Sequence, residues 1–265
     1  MQQQERVRAA QLLHEARLSG ASTPPLTERF ADLTVEDAYE VQWLHTEQRM
    51  RAGAVVKGRK VGLTSRVMQH QLGVDSPNFG VLFDDMFFTE HEPIPTSAFL
   101  QPRIEPEIAF VLGRDLNGPG VTVADALRAI EMVLPALEII DSRIVDWRIT
   151  IADTIADNAS SGGVVMGSKP SRVDDVDLRL VGCNLFGNGH LVATGAGGAV
   201  LGSPVLALVW LVNTLGARGV TLTAGDVVLP GSVTAAQPVS AGDTWSAHFA
   251  GLGSVTANFA AKGTA

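Results

Sequence analysis

The stretch PRIEPEIAFVLG, residues 102–113, combines an extended apolar pattern with two glutamates, Glu105 and Glu107. Side chains two residues apart in a strand point to the same face of a sheet. A second apolar run, LPALEIIDSRI at residues 134–144, contributes Glu138. Burying such carboxylates without a partner would cost several kcal/mol. The pattern therefore favours a hard divalent cation, Mg²⁺ or Mn²⁺, held by an all-oxygen ligand set.

A plainer interpretation of the same stretch is an edge strand that carries two solvated glutamates. Pro106, which lies between the two glutamates, has no backbone N–H and is compatible with an edge position. Glu138 shifts the balance towards the metal site, because it adds a third carboxylate on another apolar run.

The composition limits the class of protein. Of 265 residues, 46% are hydrophobic and 18% are charged, the net charge is −8, and Lys and Arg form no cluster that would indicate a nucleic-acid partner. We find no apolar run of bilayer length, and the N-terminal stretch lacks the apolar core of a signal peptide. The single cysteine, Cys183, excludes an internal disulfide framework. We expect a cytoplasmic protein without a membrane partner.

Helical patterns occur at four places. One helix is predicted at residues 3–19, and a second follows Thr34, which forms a capping box with Asp37. Further helices are predicted for TVADALRAIEMVL, residues 122–134, and for an almost wholly apolar segment that starts after Ser203 and ends at Gly216.

Short β-rich runs separated by Gly, Pro, Asn and Asp fill most of the chain after residue 55. NLFGNGHLVATG, residues 184–195, predicts a hairpin, because Asn-Gly readily adopts the positive φ angles of a tight turn. The strands do not alternate strictly with helices. The pattern therefore predicts an α+β fold, with an N-terminal helical segment at 1–54 and a β-rich catalytic domain at 55–265 forming one continuous unit.

Two further segments carry residues suited to chemistry. Lys60, in KGRKVGLTS, is either an ordinary surface charge or a group that balances the carboxylates, with a proton-donor role if burial lowers its pKa. ADNASSGG, residues 156–163, is typical of a helix that ends at a glycine. Its hydroxyl groups on Ser160 and Ser161, together with free N–H groups, are also suited to hold a carboxylate.

Taken together, these segments resemble the 2-oxopent-4-enoate (2-hydroxypenta-2,4-dienoate) hydratases of the fumarylacetoacetate hydrolase superfamily. The resemblance runs from about residue 30 to residue 258. The segments that carry it, in family order, are GRKVGLTS, LGVDSPNFG, QPRIEPEIAFVL, LPALEIIDSRIVDWRI, DTIADNASSG, LGSPVLALVWL, AGDVVLPGS and GLGSV.

The resemblance implies a mixed β-roll with N-terminal helices, a homo-oligomer, and Mg²⁺ or Mn²⁺ as cofactor. The implied metal ligands are Glu105, Glu107 and Glu138. The implied active-site lysine is Lys60. The substrate-binding residues that it implies are Ser160 with Ser161 beside it and, at a position that departs from the family pattern, Asn78.

Two departures from the family pattern affect the expected chemistry. Asn78 stands where an acidic residue is usual, and an amide cannot act as a general base near neutral pH. Pro230, in VVLPGS, stands where a small hydroxyl residue is usual, and it removes a backbone donor. We expect water activation to depend on Lys60, a metal carboxylate or a second water.

The implied substrate is a short 2-hydroxy-dienoate, hydrated to a 4-hydroxy-2-oxo acid. Decarboxylation of 4-oxalocrotonate uses the same metal and the same enolate, and is the first alternative. A non-catalytic scaffold that partners a pathway aldolase or decarboxylase is the second, although a scaffold has no reason to keep buried charges. A hydrolase that cleaves an acylpyruvate is more remote, because no His–Glu dyad is evident.

Overall fold

The computed structural model describes residues 1–66, 69–70 and 74–262. Leu72 and Gly73, the first two residues of the segment LGVDSPNFG, therefore lie outside the described part of the chain. The α-helices are α1 (Gln3–Ser19), α2 (Leu26–Arg29), α3 (Val35–Arg51), α4 (Val123–Ala129), α5 (Ile151–Ala156) and α6 (Pro204–Gly216). The strands are β1 (Val56–Gly62), β2 (Asn78–Phe83), β3 (Phe87–Phe88), β4 (Arg103–Leu112), β5 (Ile130–Ile140), β6 (Ser161–Met166), β7 (Gly182–Gly187), β8 (His190–Ala196), β9 (Val227–Leu229), β10 (Gln237–Pro238), β11 (Thr244–Phe249) and β12 (Gly253–Asn258).

Two sheets form the β-rich part of the protein. The larger sheet has the order β2-β1-β9-β4-β5-β6-β3, with β10 added beside β4, and it mixes parallel and antiparallel pairs. The smaller sheet is antiparallel, with the order β12-β11-β7-β8. The large sheet curls into half a barrel. The predicted α+β fold is confirmed.

The two faces of the large sheet have different environments. One face packs against α6 and the smaller sheet and forms the main hydrophobic core, which includes Ile108, Phe110 and Val228. The opposite, concave face carries a smaller apolar cluster, formed by Leu82, Ala109, Ala136, Val164, Val227 and Leu229. Because alternate residues of a strand point to opposite faces, Glu107 and Ala109 lie on the same concave face.

The N-terminal helices and the hairpin form where the sequence predicts them. α1 spans Gln3–Ser19, and Thr34 accepts a hydrogen bond from the Asp37 N–H in the expected capping box. The turn between β7 and β8 places Asn188 and Gly189 at positive φ angles of 52° and 81°. α3 is attached to the sheet by Gln42, whose Nε2 donates to the carbonyls of Phe79 and Ile155 at 2.9 Å each.

The predicted helix at 122–134 is wrong in its second half. The helix ends at Ala129, and β5 begins at Ile130. Residues Val133 and Leu134 pair instead with Phe110 and Ala109 of β4. The tertiary pairing of two long strands therefore overrides a helical hydrophobic period that the local sequence supports.

The edge-strand interpretation of the glutamates is also wrong. β4 is an interior strand that pairs with β5 on one side and with β9 on the other. β9 pairs with β4 only at Phe110 and Val111. Pro106 lies outside this paired part, so no hydrogen bond to β9 needs the N–H that proline lacks. Its carbonyl accepts a hydrogen bond from the Val233 N–H at 3.1 Å.

One apolar stretch reaches membrane-spanning length by composition, contrary to the expectation above. Gly197–Gly216 has 20 residues and a mean hydropathy of 1.7. Its α-helical part, α6, has only 13 residues, which is shorter than a transmembrane helix requires. Leu208 and Leu211 of α6 are fully buried in the main core. The buried side of α6 therefore packs in the main core of the protein.

We expect Gly58→Ala to destabilise the protein by about 3 kcal/mol, because overpacking at this site meets rigid backbone. Gly58 lies opposite Val227 in the β1–β9 pair, and an added Cβ would lie 1.8 Å from the Val227 carbonyl oxygen. Urea unfolding measures the change. Gly182→Ala is the matched control, since nothing lies within 4 Å of its added Cβ. Equal free energies of unfolding for the two variants would contradict the close approach of β1 to β9.

Candidate active site

The register of β4 and β5 brings the three predicted metal ligands together. Glu105 lies directly opposite Glu138 in the antiparallel pair, and Glu107 is two residues further along the same face. One carboxylate oxygen from each residue lies within 4.8 Å of the others. The cluster predicted from the sequence therefore exists as a compact site on the concave face of the large sheet.

Burial keeps these carboxylates from ionising freely. Glu107 is 1% exposed and Glu138 is 0% exposed. Burial raises the pKa of Glu105 to about 7, with the neighbouring Glu138 carboxylate adding to the effect and Lys60 opposing it. Burial and the other two carboxylates raise the pKa of Glu107 well above its ordinary value. Ionising all three carboxyl groups would therefore concentrate negative charge that the described residues do not neutralise.

The donor set fits a hard divalent cation. Glu107 Oε2 accepts a hydrogen bond from the Gly231 N–H at 2.8 Å, whereas Glu107 Oε1 has no partner among the described residues. Both oxygens of Glu138 likewise lack a well-aligned hydrogen bond in the described part of the chain. Buried carboxylate oxygens without donors are suited to Mg²⁺ and Mn²⁺, and Glu105 adds a third carboxylate beside these two residues.

Lys60 completes the charge cluster, as one of the two sequence interpretations proposes. Its Nζ lies 3.2 Å from Glu138 Oε1 and donates a hydrogen bond to the Ala159 carbonyl at 3.1 Å, and the residue is 3% exposed. Burial alone would lower the pKa of Lys60, but the three carboxylates outweigh burial and raise it. The surrounding carboxylates therefore favour the charged form of Lys60.

The turn between α5 and β6 has an unusual backbone. Asn158, Ala159 and Ser160 have φ angles of 55°, 51° and 55°, so three successive residues other than glycine adopt the left-handed region. Each such residue carries a strain of about 1–3 kcal/mol. This backbone directs the Ala159 carbonyl towards Lys60. The sequence analysis did not predict this feature, because only Asn158 has a type that favours left-handed φ.

Side chains hold the strained turn at both ends. Asn158 exchanges two hydrogen bonds with the Val81 backbone, at 2.7 and 2.9 Å. Arg143 Nε donates to Asp157 Oδ1 at 2.5 Å, and its other nitrogens donate to the carbonyls of Asp157 and Ser161 at 2.7 and 3.0 Å. Arg143 therefore serves to position the turn, a role that no local motif revealed.

The two candidate serines have different surroundings. Ser160 Oγ lies 3.0 Å from Thr154 Oγ1 of α5, so its hydroxyl group is already paired. Ser161 Oγ is buried and has no partner in the described structure. It lies 3.0 Å from where a Cβ on Gly80 would stand, and Gly80 is the cross-strand neighbour of Lys60. Ser161 is thus the better placed of the two for a ligand at the site.

Asn78 also lies beside Lys60. It pairs with Gly62 across β1 and β2, is 2% exposed, and its Oδ1 has no partner among the described residues. A Cβ on Gly62 would stand 2.3 Å from Asn78 Oδ1 and 3.7 Å from Lys60 Nζ. The amide therefore offers a free acceptor next to the ammonium group.

The residue that follows Pro230 supplies a backbone donor to the site. This residue, Gly231, has a φ of 126° and gives its N–H to Glu107. An added Cβ at Gly231 would lie 2.2 Å from Thr64 Oγ1, so the loop approaches β1 closely. Gly231 and Thr64 are neighbours of the site that the sequence analysis missed.

A family model confirms the lineage of this chain. Residues 50–260 match the Fumarylacetoacetate (FAA) hydrolase C-terminal family. The chain belongs to the fumarylacetoacetate hydrolase family. The matched span includes Lys60, all three glutamates and the strained turn. The resemblance from the sequence segments is therefore confirmed at the level of the family.

Individual relatives within the fumarylacetoacetate hydrolase family are similar over nearly the whole chain. A 2-keto-4-pentenoate hydratase of Paraburkholderia xenovorans (strain LB400) is 49% identical over 98% of this chain and 96% of its own. A 2-hydroxyhexa-2,4-dienoate hydratase of Comamonas testosteroni is 42% identical over 94% and 95%. A solved structure of 4-oxalocrotonate decarboxylase from Pseudomonas putida G7, complexed with magnesium and adipate, has a TM-score of 0.94, 36% identity and 98% coverage of both chains.

The Asp157–Arg143 pair predicts a specific pH dependence of stability. Burial raises the pKa of Asp157 to about 6, with Arg143 opposing the shift. Between pH 4 and 6 the carboxyl group therefore stays protonated in the fold while it ionises in the unfolded chain. Relative to Asp157→Asn, the free energy of unfolding of the parent should fall as the pH rises through this window, by up to about 1.4 kcal/mol per pH unit.

Urea unfolding of both proteins at pH 4, 5, 6 and 7 measures this difference. Asp175→Asn, at an exposed position, is the matched control and should run parallel to the parent. A constant difference between the parent and Asp157→Asn over the whole range would contradict the raised pKa.

Proposed function

We propose that this protein is a metal-dependent hydratase that adds water to 2-hydroxypenta-2,4-dienoate or a close homologue. The product is 4-hydroxy-2-oxopentanoate, and the reaction is of the kind used in the catabolism of aromatic compounds. The observation that carries the proposal is a cluster of three carboxylates beside Lys60, of which Glu107 and Glu138 are buried and have oxygens without a hydrogen-bond partner among the described residues. The chain is 42–49% identical to named hydratases over nearly its whole length, and this similarity supports the choice of reaction.

Glu105, Glu107 and Glu138 would hold the Mg²⁺ or Mn²⁺ ion. When bound, the ion supplies Lewis-acid stabilisation of negative charge on the 2-oxygen of the substrate. The Gly231 N–H fixes the orientation of the Glu107 carboxylate through its 2.8 Å hydrogen bond. Interactions of this kind orient ligands and are a usual part of a metal site.

Lys60 is the proposed proton donor to C5 of the dienoate. A lysine ammonium has three N–H donors, and one of them is donated to the Ala159 carbonyl, while Glu138 Oε1 lies 3.2 Å away as an ion-pair neighbour. Lys60 therefore keeps an N–H to face the substrate. The neutral amine left after this transfer regains its proton from the water that adds at C4. A proton from solvent then enters at C3 and balances the one lost from the 2-hydroxyl group.

Ser161 and Asn78 are the proposed binding groups, with Ser160 supporting the turn through Thr154. The Ser161 hydroxyl group, buried without a partner in the described structure, is suited to donate to the substrate carboxylate. Asn78 Oδ1 is suited to accept a hydrogen bond from the attacking water and so to orient it. Because an amide does not take up the proton, Asn78 orients the water and Lys60 serves as the base.

4-Oxalocrotonate decarboxylation remains the second candidate, because a decarboxylase shares the fold at a TM-score of 0.94. Arg103 is close enough to Glu105 to lower the pKa of that carboxyl group, and its guanidinium stacks 4.4 Å above the Trp147 ring. A substrate with an extra carboxylate would need such a cation. The higher identity to hydratases, 49% against 36%, favours hydration.

A homo-oligomer is part of the proposal, as the resemblance implies. A complex with a pathway aldolase or decarboxylase is a further proposed partnership. Both rest on the resemblance to the hydratases and not on a contact within this chain.

The decisive assay follows the ultraviolet absorbance of freshly generated 2-hydroxypenta-2,4-dienoate, with and without Mn²⁺, and identifies the product by mass. We expect metal-dependent loss of the diene and a gain in mass of one water. If the diene stays intact and CO₂ is released from 4-oxalocrotonate, decarboxylation replaces hydration as the proposed reaction. Binding of Mn²⁺ without turnover of either compound would favour the non-catalytic scaffold.

Lys60→Met should lower kcat by about 10²–10⁴-fold, because it removes the proton donor and keeps the length of the side chain. Mn²⁺ binding, measured by titration calorimetry, should persist, since all three carboxylates remain. Lys57→Met, at an exposed position on the same strand, is the matched control and should keep normal turnover. Near-normal turnover in Lys60→Met would exclude the proposed role of Lys60.

A further inference from the structure

A second cavity lies on the other side of β1 from the glutamates. Arg59 is opposite Val81 and Lys60 is opposite Gly80 in the β1–β2 pair, so the two cations point to opposite faces of the sheet. The cavity has a volume of about 260 Å³. We call it the Arg59 cavity; its main lining residues are Tyr39, Trp43, Arg59, Phe79, Val81 and Arg218.

The Arg59 cavity contains positive charge that the described residues do not neutralise. Arg59 is only partly exposed. Its guanidinium donates one hydrogen bond, to the Gly58 carbonyl at 2.9 Å. No described carboxylate lies within ion-pair distance of it. Burial lowers the pKa of Arg59, with Asp226 opposing the shift, yet a guanidinium stays protonated in proteins. Arg218, at the rim, forms no ion pair with any described residue either.

Glu40, the only described carboxylate on the lining, does not neutralise the positive charge of the Arg59 cavity. Glu40 is exposed and forms no ion pair with Arg59 or with Arg218. An exposed glutamate is solvated, so its charge is screened from the interior of the cavity. Arg59 and Arg218 therefore keep guanidinium N–H groups that no described carboxylate accepts.

Aromatic rings form much of the remaining wall, with Gln42 and Thr46 also on the lining. Tyr39 stacks on Phe79, with ring centroids 4.5 Å apart and an angle of 19° between the ring planes. The Arg218 guanidinium lies 4.5 Å above the centroid of Tyr39. Trp43 is 46% exposed, which is unusual for a large aromatic side chain that lines a cavity. Aromatic rings beside arginine nitrogens are suited to a planar ligand with an anionic end.

We propose that the Arg59 cavity binds a small planar monocarboxylate, aromatic or dienoic, with its carboxylate between Arg59 and Arg218 and its apolar body against Tyr39, Phe79 and Trp43. The volume is slightly below the usual range for drug-sized ligands, about 300–1,000 Å³, which limits the ligand to roughly a single ring or its open-chain equivalent. This site is distinct from the glutamate cluster and does not depend on the proposed reaction.

Titration calorimetry on the Mg²⁺-loaded protein tests the proposal with benzoate as the probe. We expect a Kd below about 1 mM for the parent. Arg59→Gln and Arg218→Gln should each weaken benzoate binding by roughly tenfold or more, because each removes a charge-assisted hydrogen bond. Arg114→Gln, at an exposed position outside the cavity, is the matched control and should bind like the parent.

Two further probes separate charge from shape. Benzamide has the ring without the charge, and acetate has the charge without the ring; both should bind the parent at least about tenfold more weakly than benzoate does. Arg218 is exposed at the end of α6, so its variant tests the proposal even if Arg59→Gln fails to fold.

Three results would overturn the proposal. The first is an absence of benzoate binding to the parent. The second is equal affinity in the parent, Arg218→Gln and Arg114→Gln, which would place benzoate at the glutamate cluster. The third is a change in the mass of the assembly in Arg218→Gln, measured by light scattering, without benzoate binding. That result would assign the cavity to contact with a second copy of this chain.

Discussion

The structure depends on the burial of three carboxylates and one ammonium group on neighbouring strands of a single sheet. Glu105, Glu107 and Glu138 carry three negative charges when ionised, and Lys60 returns one positive charge. Two charges remain uncompensated in a region where solvent screens poorly. A divalent cation balances this sum. Burial is the main cause of the raised pKa values of the three carboxyl groups, and neighbouring carboxylates add to it at Glu105 and Glu107.

A cluster of this kind constrains the scaffold around it. The carboxylates come from two long central strands, whose pairing fixes their separation to the spacing of a β-sheet. Lys60 comes from β1, and its contact with Glu138 requires β1, β9 and β4 to lie side by side, with no side chain at Gly58 to keep β9 away. The strained turn adds the Ala159 carbonyl. Its conformational cost is offset by Arg143 and Asn158, which bind it on both sides.

The sequence predicted those parts of the site that follow a local rule. Period-two spacing placed Glu105 and Glu107 on one face, and the Asn188-Gly189 turn fixed the β7–β8 hairpin. Other parts depend on distant pairing. The segment after Ala129 has a helical pattern and forms a strand because β4 is its partner, and the role of Arg143 depends on a turn 14 residues away. Ala159 at positive φ goes against its own preference, so no sequence rule could have found it.

β1 shows how one strand serves two electrostatic environments. Lys60 points to the concave face, where its Nζ lies 3.2 Å from Glu138 Oε1 and donates a hydrogen bond to the Ala159 carbonyl at 3.1 Å. Arg59, one residue earlier, points to the other face, where a single backbone carbonyl accepts one of its N–H groups. Burying a cation is unfavourable on either face. On the concave face an ion pair with Glu138 offsets this cost, whereas Asp226 acts on Arg59 without forming an ion pair. Arg59 therefore offers N–H donors to the anion that we propose for its cavity, as the carboxylates on the other face offer oxygen ligands to a cation. The two faces of β1 thus present opposite charges, a carboxylate cluster on one and a guanidinium group on the other.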